Sequence, residues 1–205
     1  FEVLANVCEE VSSEMGFECS FGIDVAASSL WNEKEEAYIY QRERKKRDSG
    51  EQREFILELI SKYHLVYVED PLHEEDYEGF VELTKKVRNC LICGDDLFAT
   101  NNERLSRGIK MRAANAVIIK VNQVGTLTDA WETIETAERN GYIPVISHRS
   151  GDTCDWHIAH LAVAFKCPII KAGIVEGARV AKINELIRIE EFLGDRAKMA
   201  DLQVL

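Results

Sequence analysis

Long apolar runs are missing from this 205-residue chain. No stretch approaches the roughly 18 apolar residues that a membrane-spanning helix needs, and no signal peptide is visible. Glycine-rich phosphate loops are missing as well: there is no G-x-G-x-x-G and no Walker A pattern. Basic charge is in short supply, with 25 Lys and Arg against 36 Asp and Glu and a net charge of −11. That balance argues against nucleic acid or an anionic membrane as partner, while leaving room for a local cationic pocket. With 12 glycines and 3 prolines, the chain lacks the loop-dominated character of a disulfide-framed secreted domain. Its six cysteines, Cys8, Cys19, Cys90, Cys93, Cys154 and Cys167, therefore read as buried, reduced thiols of a cytoplasmic protein. Cys90-x-x-Cys93 has a metal or redox spacing but no second pair, and it falls on a predicted strand. Cys154, His157 and His160 lie at i, i+3, i+6 of a predicted helix, where neutral packing is the simpler expectation than a soft metal. An initiator methionine is also lacking, so the natural start is expected upstream of Phe1.

What the chain does have is a series of short apolar runs, each stopped by an ionisable residue. Asp24 follows Phe21-Gly22-Ile23, Glu69 follows Leu65 to Val68, Asp95 follows Leu91 to Gly94, Lys120 follows Val117-Ile118-Ile119, and His148-Arg149 follows Ile143 to Ser147. Lys171 ends a sixth run. Such runs read as strands buried on both faces, and a parallel sheet exposes its chemistry where they stop. From Glu69 the intervals to Asp95, Lys120, His148 and Lys171 are 26, 25, 28 and 23 residues, close to the roughly 30 of a βαβ unit. The interval from Asp24 to Glu69 is 45 residues and carries an insertion, a solvated hairpin over 31–50. Helices are expected over 1–16, 51–63, 74–88, 102–111, 126–140, 153–166 and 178–193. In an open sheet ligand groups gather at one switch point, whereas here every strand contributes one, as on the rim of a barrel. The fold class is therefore α/β, a TIM-type (β/α) barrel with six βα units, over a single domain 1–205.

Brought together, Asp24, Glu69 and Asp95 would repel one another unless a divalent cation lay among them. Three hard oxygen ligands suit Mg²⁺, where zinc would want His or Cys. Taken singly, each carboxylate could instead cap the following helix or pair with a lysine. A like charge about 4 Å from a lysine is worth about 4 kcal/mol at an effective dielectric of 20, enough to bring a lysine within reach of acting as a base near neutral pH. Lys120 and Lys171 are the candidates. Ser147-His148-Arg149-Ser150-Gly151 offers hydroxyls, a guanidinium fork and a glycine turn opening a helix, a fit for an anionic phosphate.

Six stretches in order carry a resemblance. Gly22-Ile23-Asp24-Val25-Ala26-Ala27-Ser28, Val68-Glu69-Asp70-Pro71, Gly94-Asp95-Asp96-Leu97-Phe98, Ile119 to Thr126, Ser147 to Gly151 and Ile170-Lys171-Ala172-Gly173 resemble the successive strand-end motifs of the enolase family, as does the tail Ala181 to Glu191. Pro71 to Asp76 and Gly173-Ile174-Val175-Glu176-Gly177 are similar to archaeal members. The resemblance implies reversible dehydration of 2-phosphoglycerate to phosphoenolpyruvate. By it, Asp24, Glu69 and Asp95 hold Mg²⁺, and Glu69 and Asp95 also border the substrate. Lys120 is the general base, Lys171 binds the substrate carboxylate and tunes that base, and His148, Arg149 and Ser150 bind the substrate phosphate. It also implies a homo-oligomer when intact, although Ala178-Arg179 departs from the family's acidic residue near its subunit contacts. The family's capping domain, first two barrel strands and acid glutamate are not in this sequence, so little turnover is expected from these residues alone. The alternatives are an inactive enolase-like fragment or binding scaffold, and another Mg²⁺-dependent lyase or isomerase of the enolase superfamily.

Overall fold

The computed structural model describes residues 1–175 and 177–202. Glu176, within the Gly173 to Gly177 motif, lies outside the described residues, as do the last three. In chain order the elements are α1 (Glu2–Met15), β1 (Gly22–Asp24), β2 (Trp31–Asn32), β3 (Ala37–Tyr40), β4 (Lys45–Arg47), α2 (Ser49–Tyr63), β5 (Tyr67–Glu69), α3 (Tyr77–Lys86), β6 (Leu91–Gly94), α4 (Asn102–Met111), β7 (Ala116–Ile119), α5 (Val121–Val124), α6 (Leu127–Arg139), β8 (Ile143–Ser147), α7 (His157–Ala164), β9 (Ile169–Lys171) and α8 (Gly177–Leu193). Two compact units share them. One holds Phe1–Leu97 and Gly108–Asn115, the other Phe98–Arg107 and the described residues from 116 onward.

In the first unit β1, β5 and β6 run parallel in that order. Gly22 lets β1 approach β5 closely: a Cβ there would stand 2.5 Å from the carbonyl oxygen of Tyr67. All four residues of β6 are buried, as expected of a parallel strand covered on both faces. α2 starts on a capping box, with the Asp48 carboxylate accepting the Glu51 amide at 2.8 Å and Glu51 returning to the Asp48 amide at 3.0 Å, which satisfies two amides that the helix leaves open.

The segment 31–50 departs from the hairpin expectation. It is a three-stranded antiparallel sheet, β2-β3-β4, and it is not simply solvated, because Ala37 and Tyr38 are fully buried. Within it Arg42 to Arg47 is a basic run with a single glutamate, which ends with the Arg47 guanidinium stacked 4.3 Å from the Tyr40 ring centroid and 3.9 Å from that of Phe55, so its last charge takes part in packing. The thiol expectation holds for Cys90, Cys93 and Cys167, which are buried. Cys8 and Cys19 are half-buried and Cys154 is exposed, and all six are free.

In the second unit β7, β8 and β9 are parallel. Every residue of β7 is buried, and α6 covers this sheet through Ala130, Ile134 and Ala137. The helix expected from 153 begins only at His157. Thr153 Oγ accepts the Asp155 amide at 3.2 Å and Asp155 accepts the His157 amide at 2.7 Å, so side chains occupy the backbone donors that a helix would use. His157 and His160 are exposed rather than packed inside: His157 Nδ1 lies against Asp155, and His160 Nε2 lies 2.9 Å from Glu185.

Candidate active site at the strand ends

In the first unit the strand register sets Asp24 against Glu69 and Glu69 against Cys93, with Asp95 two residues further on. The three ends are laced by backbone hydrogen bonds, Val25 amide to Glu69 carbonyl at 3.0 Å, Ala27 amide to Asp70 carbonyl at 3.1 Å and Asp70 amide to Cys93 carbonyl at 2.9 Å. Asp24 is exposed, and its Oδ1 accepts the Ala26 amide at 3.1 Å. Glu69 is fully buried and accepts from the Tyr67 hydroxyl at 2.7 Å. Burial first, then the neighbouring Cys93 and Glu69, push that phenol far above its ordinary range, so it stays a donor.

Asp70 supplies what the sequence reading missed. Its two carboxylate oxygens accept the Asp95 amide at 2.9 Å and the Asp96 amide at 2.8 Å, tying the β5 end to the β6 end. Burial raises its carboxyl to about 8 against those two amide bonds, and the Asp96 and Asp95 charges push the same way. Among the described residues, the carboxylates with oxygens all within 4.8 Å of one another are Asp70, Asp95 and Asp96. Only Asp95 is common to that group and the expected trio. Crowded, buried carboxyl oxygen is the donor set of a hard divalent cation. A soft metal is poorly served, because burial and then the Glu69 charge hold the Cys93 thiol well above its ordinary range. The signal in the sequence was the run of acids around each strand end, Glu69-Asp70 and Asp95-Asp96.

The second unit gathers the cations. Lys120 follows β7, half-buried, and its amide donates to the buried Thr100 hydroxyl at 2.9 Å, which itself donates to Gln123 at 2.6 Å. Ser147 is registered with Lys171, and the His148 amide donates to the Lys171 carbonyl at 3.0 Å. Arg149 reaches back to the loop after β7, its Nη1 donating to Asn122 Oδ1 at 2.9 Å. Arg149 and Ser150 are exposed. Burial, then the Arg179 charge, lowers the His148 pKa, and its Nδ1 is buried without a hydrogen-bond partner. The glycine turn at Gly151 opens no helix, so a helix N-terminus does not serve the residues expected to bind phosphate. Thr100, Asp152 and Lys182, which organise this end, went unread because each acts through hydrogen bonds to the backbone rather than through a motif.

A cleft of about 950 Å³ lies at the other end of the first unit's strands, among Glu18, His64, Leu65, Lys86 and Asn89. None of the expected residues lines it. The chemistry gathers where the strands finish, not in this cleft.

Parallel strands alternating with helices, with acids and cations at the carboxyl ends, define an α/β-barrel type of enzyme domain. Over residues 2–205 the chain matches the enolase C-terminal TIM barrel domain. It is 55% identical over 202 residues to the enolase of Methanothermobacter thermautotrophicus, covering 98% of this chain and 48% of that protein. It is 55% identical over 191 residues to the enolase of Natronomonas pharaonis, with 93% and 47% covered, and 49% identical over 203 residues to that of Pyrobaculum aerophilum, with 99% and 48% covered. This chain belongs to the enolase family, and the similar relatives are archaeal, as the motifs led one to expect. It spans about half the length of the curated relatives it matches. Among the described residues, no helix is long and apolar enough to cross a membrane.

Proposed function

We propose that this chain supplies the metal, base and phosphate groups for the reversible, Mg²⁺-dependent dehydration of 2-phosphoglycerate to phosphoenolpyruvate, a glycolytic lyase reaction of the cytoplasm. Asp24, Glu69 and Asp95 would hold Mg²⁺, which supplies positive charge to offset what builds on the substrate carboxylate when its α-proton leaves. Lys120 takes that proton. Lys171 binds the carboxylate. His148, Arg149 and Ser150 bind the phosphate, Arg149 with its guanidinium already oriented by Asn122. Departure of the hydroxide from the adjacent carbon completes the step. The acid that assists it is expected from the half of the relatives that this chain does not match, and the complete enzyme is proposed to be a homo-oligomer.

The observation that supports this reading best is the meeting of motifs far apart in sequence. Three acidic strand ends are laced to one another through Glu69 and Asp70, and Lys171, His148, Arg149 and Asn122 are joined by two hydrogen bonds. The test follows enol absorbance with 2-phosphoglycerate and Mg²⁺, for this chain and for one extended by the missing half. Turnover by the extended protein, abolished by Lys120→Met, is expected, with little from the 205 residues alone. Absence of both Mg²⁺ and 2-phosphoglycerate binding would leave a scaffold instead.

A further inference from the structure

The loop bearing the phosphate residues has no helix beginning beneath it, so something else must hold it. A buried ammonium does. Lys182 of α8 is 0% exposed. Its Nζ donates to Asp152 Oδ1 at 3.0 Å, to the Ala178 carbonyl at 3.0 Å and to the Thr153 carbonyl, which uses all three of its protons. Asp152 is engaged at both oxygens: Oδ2 accepts the Arg149 amide at 3.0 Å and Oδ1 the Thr153 amide at 2.8 Å. Burial raises its carboxyl, but the Arg149 amide and the Lys182 ammonium outweigh burial and hold it below its ordinary value.

Taking an ion pair out of water is expensive, and replacing both partners by apolar side chains of similar volume is commonly neutral or stabilising. The charge therefore has a task that packing does not supply. Asp152 stands three residues from Arg149 and two from Ser150, where a bare carboxylate would repel any phosphate those residues bind. Paired with Lys182 it becomes a neutral clip. A further cation borders the same loop: Arg179 Nη2 reaches the Ser150 carbonyl at 3.5 Å, and a Cβ at Gly173 would meet its Cδ at 2.5 Å. Two more titratable groups face the pair: His148 interacts with Arg179, Asp152, Lys171 and Lys182, and Asp155 interacts with Lys182.

We infer that Lys182 is a positioning residue for phosphate recognition: acting through Asp152, it fixes the backbone at Arg149 and cancels the Asp152 charge beside it. The inference rests on the enolase reading above and names the support for its phosphate subsite.

The test uses the 205-residue chain, calorimetric titration with Mg²⁺, with inorganic phosphate and with 2-phosphoglycerate plus Mg²⁺, and the amide resonance of Arg149. Lys182→Met and Asp152→Asn are each expected to weaken both phosphate-bearing probes by about 10-fold and to leave Mg²⁺ affinity unchanged; the Arg149 amide proton should move upfield in Asp152→Asn, which replaces its carboxylate acceptor, and should shift in Lys182→Met, which releases that carboxylate from its anchor. If Lys182→Met fails to fold, Asp152→Asn, which keeps the shape, decides alone. Wild-type phosphate affinity in Asp152→Asn overturns the inference, and so does an equal loss of Mg²⁺ and phosphate binding, the mark of a merely structural pair. A wild-type chain that binds Mg²⁺ but neither phosphate probe defeats the enolase reading of the subsite itself, and the inference falls with it.

Discussion

The two units build their strand ends by the same backbone scheme and finish them with opposite chemistry. After β1, β5 and β6 the functional groups are acids, two of them buried, and the brace is a further buried acid, Asp70, gripping two amides. After β7, β8 and β9 the groups are cations, half-buried or exposed, and the brace is an ion pair, Lys182 with Asp152. A buried carboxylate can be held by amides because each N–H is a fixed donor aimed at it. An exposed guanidinium has no comparable set of fixed acceptors, so its position is set one step back, at the loop backbone.

Breaking each brace in turn tests that contrast. Lys182→Met should cost the most, about 3–5 kcal/mol, because it strands the Asp152 charge in a nearly buried place; urea unfolding measures it, and Lys182→Met combined with Asp152→Asn should recover part of the loss. Asp70→Ala comes next, at about 2–4 kcal/mol, since it leaves the Asp95 and Asp96 amides without their acceptor. Mg²⁺ titration of the same variant should show weaker binding, because Asp95 and Asp96 lose their tether. Thr100→Val keeps shape but removes the hydroxyl between Lys120 and Gln123. About 1–2 kcal/mol is expected there, together with faster hydrogen exchange at the Lys120 amide, and unchanged exchange would show that the hydroxyl does not restrain Lys120.

Most of the strand and helix order was legible because, outside the insertion over 31–50, apolar runs of β length and helical periodicity alternate, and Gly16 and Pro71 punctuate them. The first helix ends where Gly16 adopts φ 73. What was not legible came from competition by side chains. Asp152, Thr153 and Asp155 carry helix-compatible spacing, yet their oxygens take the local amides and delay α7 to His157. The segment 31–50 looked solvated because its charges are conspicuous, whereas Tyr38 is buried and its hydroxyl accepts the His73 amide at 2.8 Å. At the site, the residues that end strands could be picked out by position. Asp70 and Lys182 could not, because burial of a charged side chain is decided by long-range packing that no local pattern encodes.

A further contrast between the units is in pH, because a buried phenol and an ion pair fail at opposite ends of the scale. In the first unit the loop after β5 is steadied by the neutral Tyr38 hydroxyl, whose pKa burial raises from 10 to about 12. A folded value above the unfolded one contributes stability that is complete below pH 10 and lost as pH climbs toward 12. In the second unit Asp152 is held below its ordinary 3.8, so its contribution is present above that value and lost as pH falls through the lower folded one. Difference curves of urea midpoint against pH should therefore separate the two. Tyr38→Phe should flatten only the alkaline limb and Asp152→Asn only the acid limb, while an acid limb untouched by Asp152→Asn would mean that the Lys182 pair does not hold its loop through charge.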